Sequence, residues 1–252
     1  MKARPPWLHH TLRLLGLALL CAVSLQLVFA LRIAGMALID PQSTAFQRSE
    51  AWRLLTEKHQ IAWSQQWVAT DRLSNNLKRA VIASEDAGFV EHSGLEWDAI
   101  EKAWDKNQKA EQRVARAVAK TRPGRPVPVP KVVGGSTITQ QLAKNLFMSG
   151  ERTVPRKAQE MLLTLMLEGL LSKDRILTIY LNNVEWGEGL FGAQAAARHY
   201  FRVDADKLGA AAAARLAVML PAPKRFERNP GSAYVSGRAA TIAARMGGVE
   251  LP

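Results

Sequence analysis

Hydrophobic and polar residues divide this chain into segments with different periods. Leu14 to Leu31 carries no charge over about 18 residues, the length at which an apolar helix spans a bilayer. Lys2, Arg4 and Arg13 precede it with no acid among them, which places the N-terminus on the cytoplasmic side. Arg32 follows, able to snorkel to the outer interface, and weaker apolar character persists to Asp40-Pro41. A cleaved signal peptide is the competing reading, since Val28 and Ala30 loosely fit a cleavage site. The apolar stretch exceeds a usual signal core, so an uncleaved anchor is expected.

Beyond the anchor the pattern turns helical. Leu73, Leu77, Val81 and Glu85 recur every four residues, which brings a carboxylate onto or beside an apolar stripe. Ile138, Leu142 and Leu146 share one face of a second helix; Gln141, Lys144 and Asn145 share the opposite one. From Met161 to Leu171 apolar residues fall nearly all round, the mark of a buried central helix. Thr153 is a candidate N-cap for it, with Pro155 in the first turn. Residues 172–182 read as amphipathic, 186–192 as a glycine-rich turn, and the alanine-rich runs after it as closely packed helices, the last stopped by Pro221 and Pro223. Trp52, Trp63 and Trp67 lie in a polar stretch, with packing on the domain and seating at the membrane interface both open. Alternating strand patterns are scarce and no repeat is evident, so the fold class is mainly α.

Composition narrows the partner. The formal net charge is +12 over 252 residues, which calls for an anion; nucleic acid, acidic lipid and pyrophosphate all qualify. The single cysteine, Cys21, lies in the apolar segment, so no intramolecular disulfide forms and thiol chemistry is not expected. The organisation predicted is a basic tail (1–13), an anchor (14–39) and one domain (40–252), with a basic, proline-containing insertion at about 106–131.

The candidate chemistry centres on GGSTITQQLAKNLF, residues 134–147. Thr137 followed three residues later by Gln140 is a capping-box pattern. Ser136, Thr137 and Gln140 therefore have capping as an alternative to ligand binding. Glu85, half desolvated by its stripe, is a candidate proton acceptor, although a salt-bridged structural acid would give the same pattern. His92, alone near a glycine turn, reads as a hydrogen-bonded structural histidine. Arg152, Arg156, Lys157 and Glu160 cluster at the start of the helix that Thr153 would cap, where simple solvation is the plain alternative.

These segments together resemble the peptidoglycan glycosyltransferases (glycosyltransferase family 51), membrane enzymes that polymerise lipid II. The resemblance rests on EDAGFVEH (85–92), the GGST block, RKAQE (156–160) and SKDRILTIYLN (172–182), in the family's order, and covers roughly residues 70–230. The size and single-span layout resemble its monofunctional biosynthetic members; no SxxK sequence is present, so a transpeptidase domain is not expected. The connection between the ED and GGST motifs is longer than the family's, which leaves the roof of the cleft there open.

What the resemblance implies is a lysozyme-like, two-lobed domain behind one N-terminal transmembrane helix. The reaction would be inverting transfer from a glycan chain on polyprenyl pyrophosphate to the 4-hydroxyl of lipid II. Glu85 would be the base and Glu160 the second acid. Lys144 and Arg152 would hold the pyrophosphate, with Ser136, Thr137, Gln140, Gln141, Asn145, Asp86, Arg156 and Lys157 as substrate-binding candidates. A divalent cation, magnesium or manganese, could assist Glu160, with no organic cofactor. Partners would be the two lipid-linked substrates, the membrane and other cell-wall synthesis or division proteins, not nucleic acid. The protein would sit in the bacterial inner membrane with its domain in the periplasm. The rivals are a peptidoglycan hydrolase of lysozyme-like fold, against which the basic set argues, and a non-catalytic membrane scaffold or basic nucleic-acid binder.

Overall fold

A computed structural model describes residues 6–96, 135–148 and 153–252, with isolated positions between 101 and 112. Arg152, Gly134 and most of the 106–131 insertion lie outside the described residues.

The apolar N-terminal run is one helix, α1 (Pro6–Gly35). Residues 10–35 form a candidate span of 26 residues with a mean hydropathy of 2.5. Its leucines stand exposed along most of its length, and only Ile33 and then Met36 are buried. An amphipathic helix hides one stripe; this one has none to hide until it meets the domain.

Helix α2 (Ala45–Lys58) begins at a Thr44–Gln47 capping box, and β1 (Ser64–Gln65) follows. Helix α3 (Asn75–Glu85) starts at Ser74 and buries Leu77, Ala80 and Val81. It packs on α8 (Ala210–Met219) and α10 (Ala233–Arg245), so close alanine contacts form one group of helices. The other group is α4 (Ile138–Phe147), α5 (Val154–Leu170) and α6 (Lys173–Asn183), with α1 lying on α5. Helices α7 (Ala193–Phe201) and α9 (Pro223–Phe226) complete the set.

The only sheet among the described residues is three-stranded, in the order β1-β3-β2, with β2 (Glu185–Gly187) and β3 (Leu190–Phe191) flanking the expected glycine turn. Gly189 there has φ +68 and passes so near the chain that an added Cβ would lie 1.9 Å from the Ala62 carbonyl oxygen. No other residue fits that approach.

Two expectations fail. Residues 172–182 do not form an amphipathic helix: α6 is buried at every position from Ile176 to Asn183, because its neighbours enclose it on all sides. The all-round apolar helix at 154–170 is not buried throughout: Leu163 and Leu167 are fully buried, whereas Leu162, Leu165 and Leu170 are exposed. The reason lies in α1. Gln26 of the candidate span and Gln159 of α5 exchange a reciprocal pair of side-chain hydrogen bonds, both 3.0 Å. The pair sets α5 beside the exposed apolar helix α1, so one row of its leucines faces the protein core while the other, like the leucines of α1, stays outside it.

Candidate active site

Helix α4 organises the site. Thr137 caps it: its Oγ1 accepts the Gln140 N–H at 3.1 Å while the Thr137 N–H is donated to Gln140 Oε1 at 3.1 Å. The Thr137 hydroxyl also donates to the Gly94 carbonyl at 2.7 Å, which ties the helix start to the ED segment. Both Thr137 and Gln140 are buried and engaged in the cap, whereas Ser136 is exposed just before it. Ile138, Leu142 and Leu146 face the core; Gln141 and Asn145 are half-buried and Lys144 is exposed on the other face.

The adjacent acids of the ED motif are held at opposite helix poles. Glu85 is the last residue of α3, at the end that carries partial negative charge. Burial pushes its carboxyl pKa up, and the charge of Asp86 adds to that; hydrogen bonds from Gln141 and Ser84 oppose it. Gln141 Nε2 donates to Glu85 Oε2 at 3.0 Å, and no ion pair to Glu85 exists among the described residues. Asp86 sits instead at the start of α4, where its Oδ2 accepts the Ile138 N–H at 2.9 Å, one of the donors a helix start leaves unpaired. Its Oδ1 lies 2.8 Å from His92 Nε2. Because His92 Nδ1 accepts the Gly94 N–H at 3.0 Å, the ring proton is on Nε2 and is donated to Asp86. Asp86, His92 and Glu96 bring donor atoms within 4.8 Å of one another. Two of the three are already committed to the backbone and to each other, which is not the disposition of a metal site.

The far end of α4 meets the second acid. Glu160 is 3% exposed, with Lys157 against Oε1 and Arg156 Nη1 at 3.4 Å from Oε2. Arg156 also reaches Met148 Sδ, at the end of α4. Gln141, which binds Glu85, and Met148, which Arg156 reaches, are about 10 Å apart along the helix. A divalent cation at Glu160 would face two positive side chains, and that donor set does not fit one.

The anchor arrives at this same end. Phe29 packs edge-on against Phe147 with ring centroids 5.3 Å apart, and Arg32 stands 5.2 Å over the Phe147 ring. Arg175 fastens the exit of α1, donating to the Met36 carbonyl at 2.7 Å and pairing with Asp40 at 2.8 Å.

Sequence reasoning missed the support beneath the cleft. The Tyr180 hydroxyl donates to Gln141 Oε1 at 3.0 Å from a fully buried position. Lys173 Nζ binds the His92 carbonyl at 2.6 Å and Glu168 at 2.9 Å, and stands 4.5 Å over the buried Phe89 ring. Glu168 in turn accepts from Thr139 at 2.6 Å. Lys173 and Tyr180 fall within the 172–182 motif, which was the available signal. Asn182 and Asn183, at the end of α6, are buried and bond backbone groups: Asn182 pairs with both backbone polar atoms of Val68, and Asn183 Nδ2 donates to the Ile179 carbonyl.

Two further buried acids, Glu50 and Glu185, lie elsewhere. Lys224 Nζ is 2.6 Å from Glu50 and 3.3 Å from Glu185, and Arg53 clasps Glu50 and Glu188. Glu185 Oε1 nevertheless lacks a well-directed hydrogen bond, and burial pushes its pKa up to about 7 against the pull of Lys224.

The family model described as Transglycosylase matches residues 53–247. The chain is 51% identical over 227 residues to the biosynthetic peptidoglycan transglycosylase of Burkholderia thailandensis, covering 90% of this chain and 82% of that one. It is 50% identical over 221 residues to that of Paraburkholderia phytofirmans, covering 88% and 85%.

Proposed function

The chain belongs to the transglycosylase family, and from that premise we propose that it polymerises lipid II into peptidoglycan glycan strands. The reducing-end sugar of a growing strand, carried on polyprenyl pyrophosphate, is attacked at C1 by the 4-hydroxyl of lipid II. The new C1–O bond forms as the C1–O bond to pyrophosphate breaks, with inversion; the hydroxyl proton passes to Glu85 and polyprenyl pyrophosphate leaves. Glu85 suits this because it is desolvated, has neutral hydrogen-bond donors and, among the described residues, pairs with no cation.

Lys144, on the exposed face of α4, and Arg152 meet the charge that develops on the leaving pyrophosphate, an interaction stronger in the transition state than in the bound substrate. Arg156 and Lys157 hold Glu160 in place at that end. Ser136 and Asn145 flank the sugar and pyrophosphate positions along the same helix. The observation that carries the assignment is directional. The leaving group is bound to a lipid, and the end of α4 that Arg156 of α5 reaches, beside Lys157 and Glu160, is also the end contacted by Phe29 and Arg32 of the apolar helix α1. In this reading α1 crosses the inner membrane with its N-terminus in the cytoplasm, the domain is periplasmic, and cell-wall synthesis or division proteins are its neighbours.

Polymerisation of labelled lipid II by the detergent-solubilised protein, wild type beside Glu85→Gln, tests the proposal. Polymer from wild type and almost none from a folded Glu85→Gln supports reaction and base together. A well-folded wild type that makes no polymer, with or without added divalent cation, overturns the reaction; wild type that instead shortens purified glycan strands points to a hydrolase.

A further inference from the structure

Gln141 stands between Glu85 and Tyr180, and its amide has two orientations related by a half-turn. In the one present, Nε2 donates to Glu85 Oε2 and Oε1 accepts the Tyr180 hydroxyl proton, each at 3.0 Å. Turned over, the amide would set Oε1 against the Glu85 carboxylate, and the Tyr180 hydroxyl proton would lose its acceptor. Tyr180 is 1% exposed, so water could not replace that acceptor. An orphaned buried donor is disfavoured strongly enough to select one orientation. Tyr180 touches neither substrate nor reacting atoms; it acts through the amide.

We infer that Tyr180 is a positioning residue for the reaction, fixing the Gln141 amide so that its NH2 group faces the Glu85 carboxylate. This rests on the reading of Glu85 as base. Among the described residues, the charged and titratable groups nearest the carboxylate are Asp86 beside it, tied to Ile138 N–H and His92, Tyr180 on α6, and Lys144, one turn along α4 from Gln141. Gln141 thus supplies a directed neutral donor to Glu85, and a donor to a carboxylate favours its ionised form. When Tyr180 releases the amide, the donor is present for less of the time and the carboxylate holds its proton more tightly.

The test is the pH dependence of kcat/KM for lipid II polymerisation by wild type, Tyr180→Phe, Gln141→Met and the double variant, each checked for thermal unfolding. Tyr180→Phe keeps the buried ring and removes one oxygen. It should move the acid limb of the profile to higher pH by roughly 0.5–1 unit. Gln141→Met should move the limb the same way, and adding Tyr180→Phe to it should move it no further. An unmoved limb in folded Tyr180→Phe overturns the inference, as does a loss equal at every pH or a Tyr180→Phe shift that persists without Gln141. Should Tyr180→Phe not fold, the limb of Gln141→Met decides: unmoved, it overturns the inference. Wild type without polymer, or Glu85→Gln as active as wild type, would instead sink the proposed reaction or its base before Tyr180 is reached.

Discussion

Glu85, half-buried, and Glu185, buried, both have a pKa raised by desolvation, and their surroundings separate them. Glu185 lies in a knot of charges, with Lys224 at 3.3 Å and Glu50 and Glu227 adding negative potential. Its environment answers to neighbours that are themselves charged and fixed. Glu85 has a neutral amide on one side and the exposed face of α4 beside it, so its proton can be exchanged with a ligand. A perturbed acid alone therefore does not mark a catalytic site. What marks it is burial without a resident cation, next to the other groups the reaction needs.

The comparison breaks most visibly through activity. Glu85→Gln should lower kcat/KM for polymerisation by roughly 10²–10⁴-fold, while Glu185→Gln should stay within about 3-fold of wild type; comparable losses from both would erase the distinction. Stability separates them in the other direction. With a folded pKa of about 7 against an ordinary 4.5, Glu185 binds its proton more tightly in the native state. Its contribution therefore weakens the fold as pH rises from 4.5 through 7 and is fully unfavourable above that. Glu185→Gln should stabilise the protein by up to about 3 kcal/mol at pH 8, and the gain should vanish towards pH 4.5 in thermal unfolding scans.

A smaller effect is expected from Lys224→Met, which leaves Glu50 and Glu185 without their shared cation. Lys224 is itself partly exposed, so a loss of about 2 kcal/mol at pH 8 is expected, below the range for fully buried pairs. Because Glu50 has its pKa lowered, burial notwithstanding, by Arg53 and Lys224, that loss should shrink as pH falls and the carboxylates protonate. Gly94→Ala should be the mildest, about 1–2 kcal/mol. Gly94 has φ +81, and a Cβ there would lie 2.7 Å from Glu168 Cγ and from Thr164 Cγ2, beside the Gly94 carbonyl that receives Thr137.

Much of the site could be read from short spacings. The Thr137–Gln140 cap, the opposed faces of α4, Thr153 as N-cap and the stripe leading to Glu85 are all local, and each forms as expected. Partnerships across the chain could not be read in the same way. Tyr180 reaches Gln141 from another helix, and Lys173 reaches the His92 carbonyl from beyond the insertion. The 154–170 helix was misread for a related reason: periodicity reports that a face is apolar, not whether protein or the level of the anchor lies against it.

The reciprocal Gln26–Gln159 pair, with Phe29 and Arg32 on Phe147, joins α1 to α5 and α4 by side-chain contacts. A 26-residue apolar helix is roughly 39 Å long, longer than a hydrocarbon core of about 30 Å. On the proposed reading that α1 spans the membrane, it must lean or emerge at one face, by an amount set by membrane thickness. The angle at which Glu85 and α4 meet lipid-borne substrates would then be set partly by the bilayer, and protein reconstituted in thinner and thicker membranes should turn over at different rates.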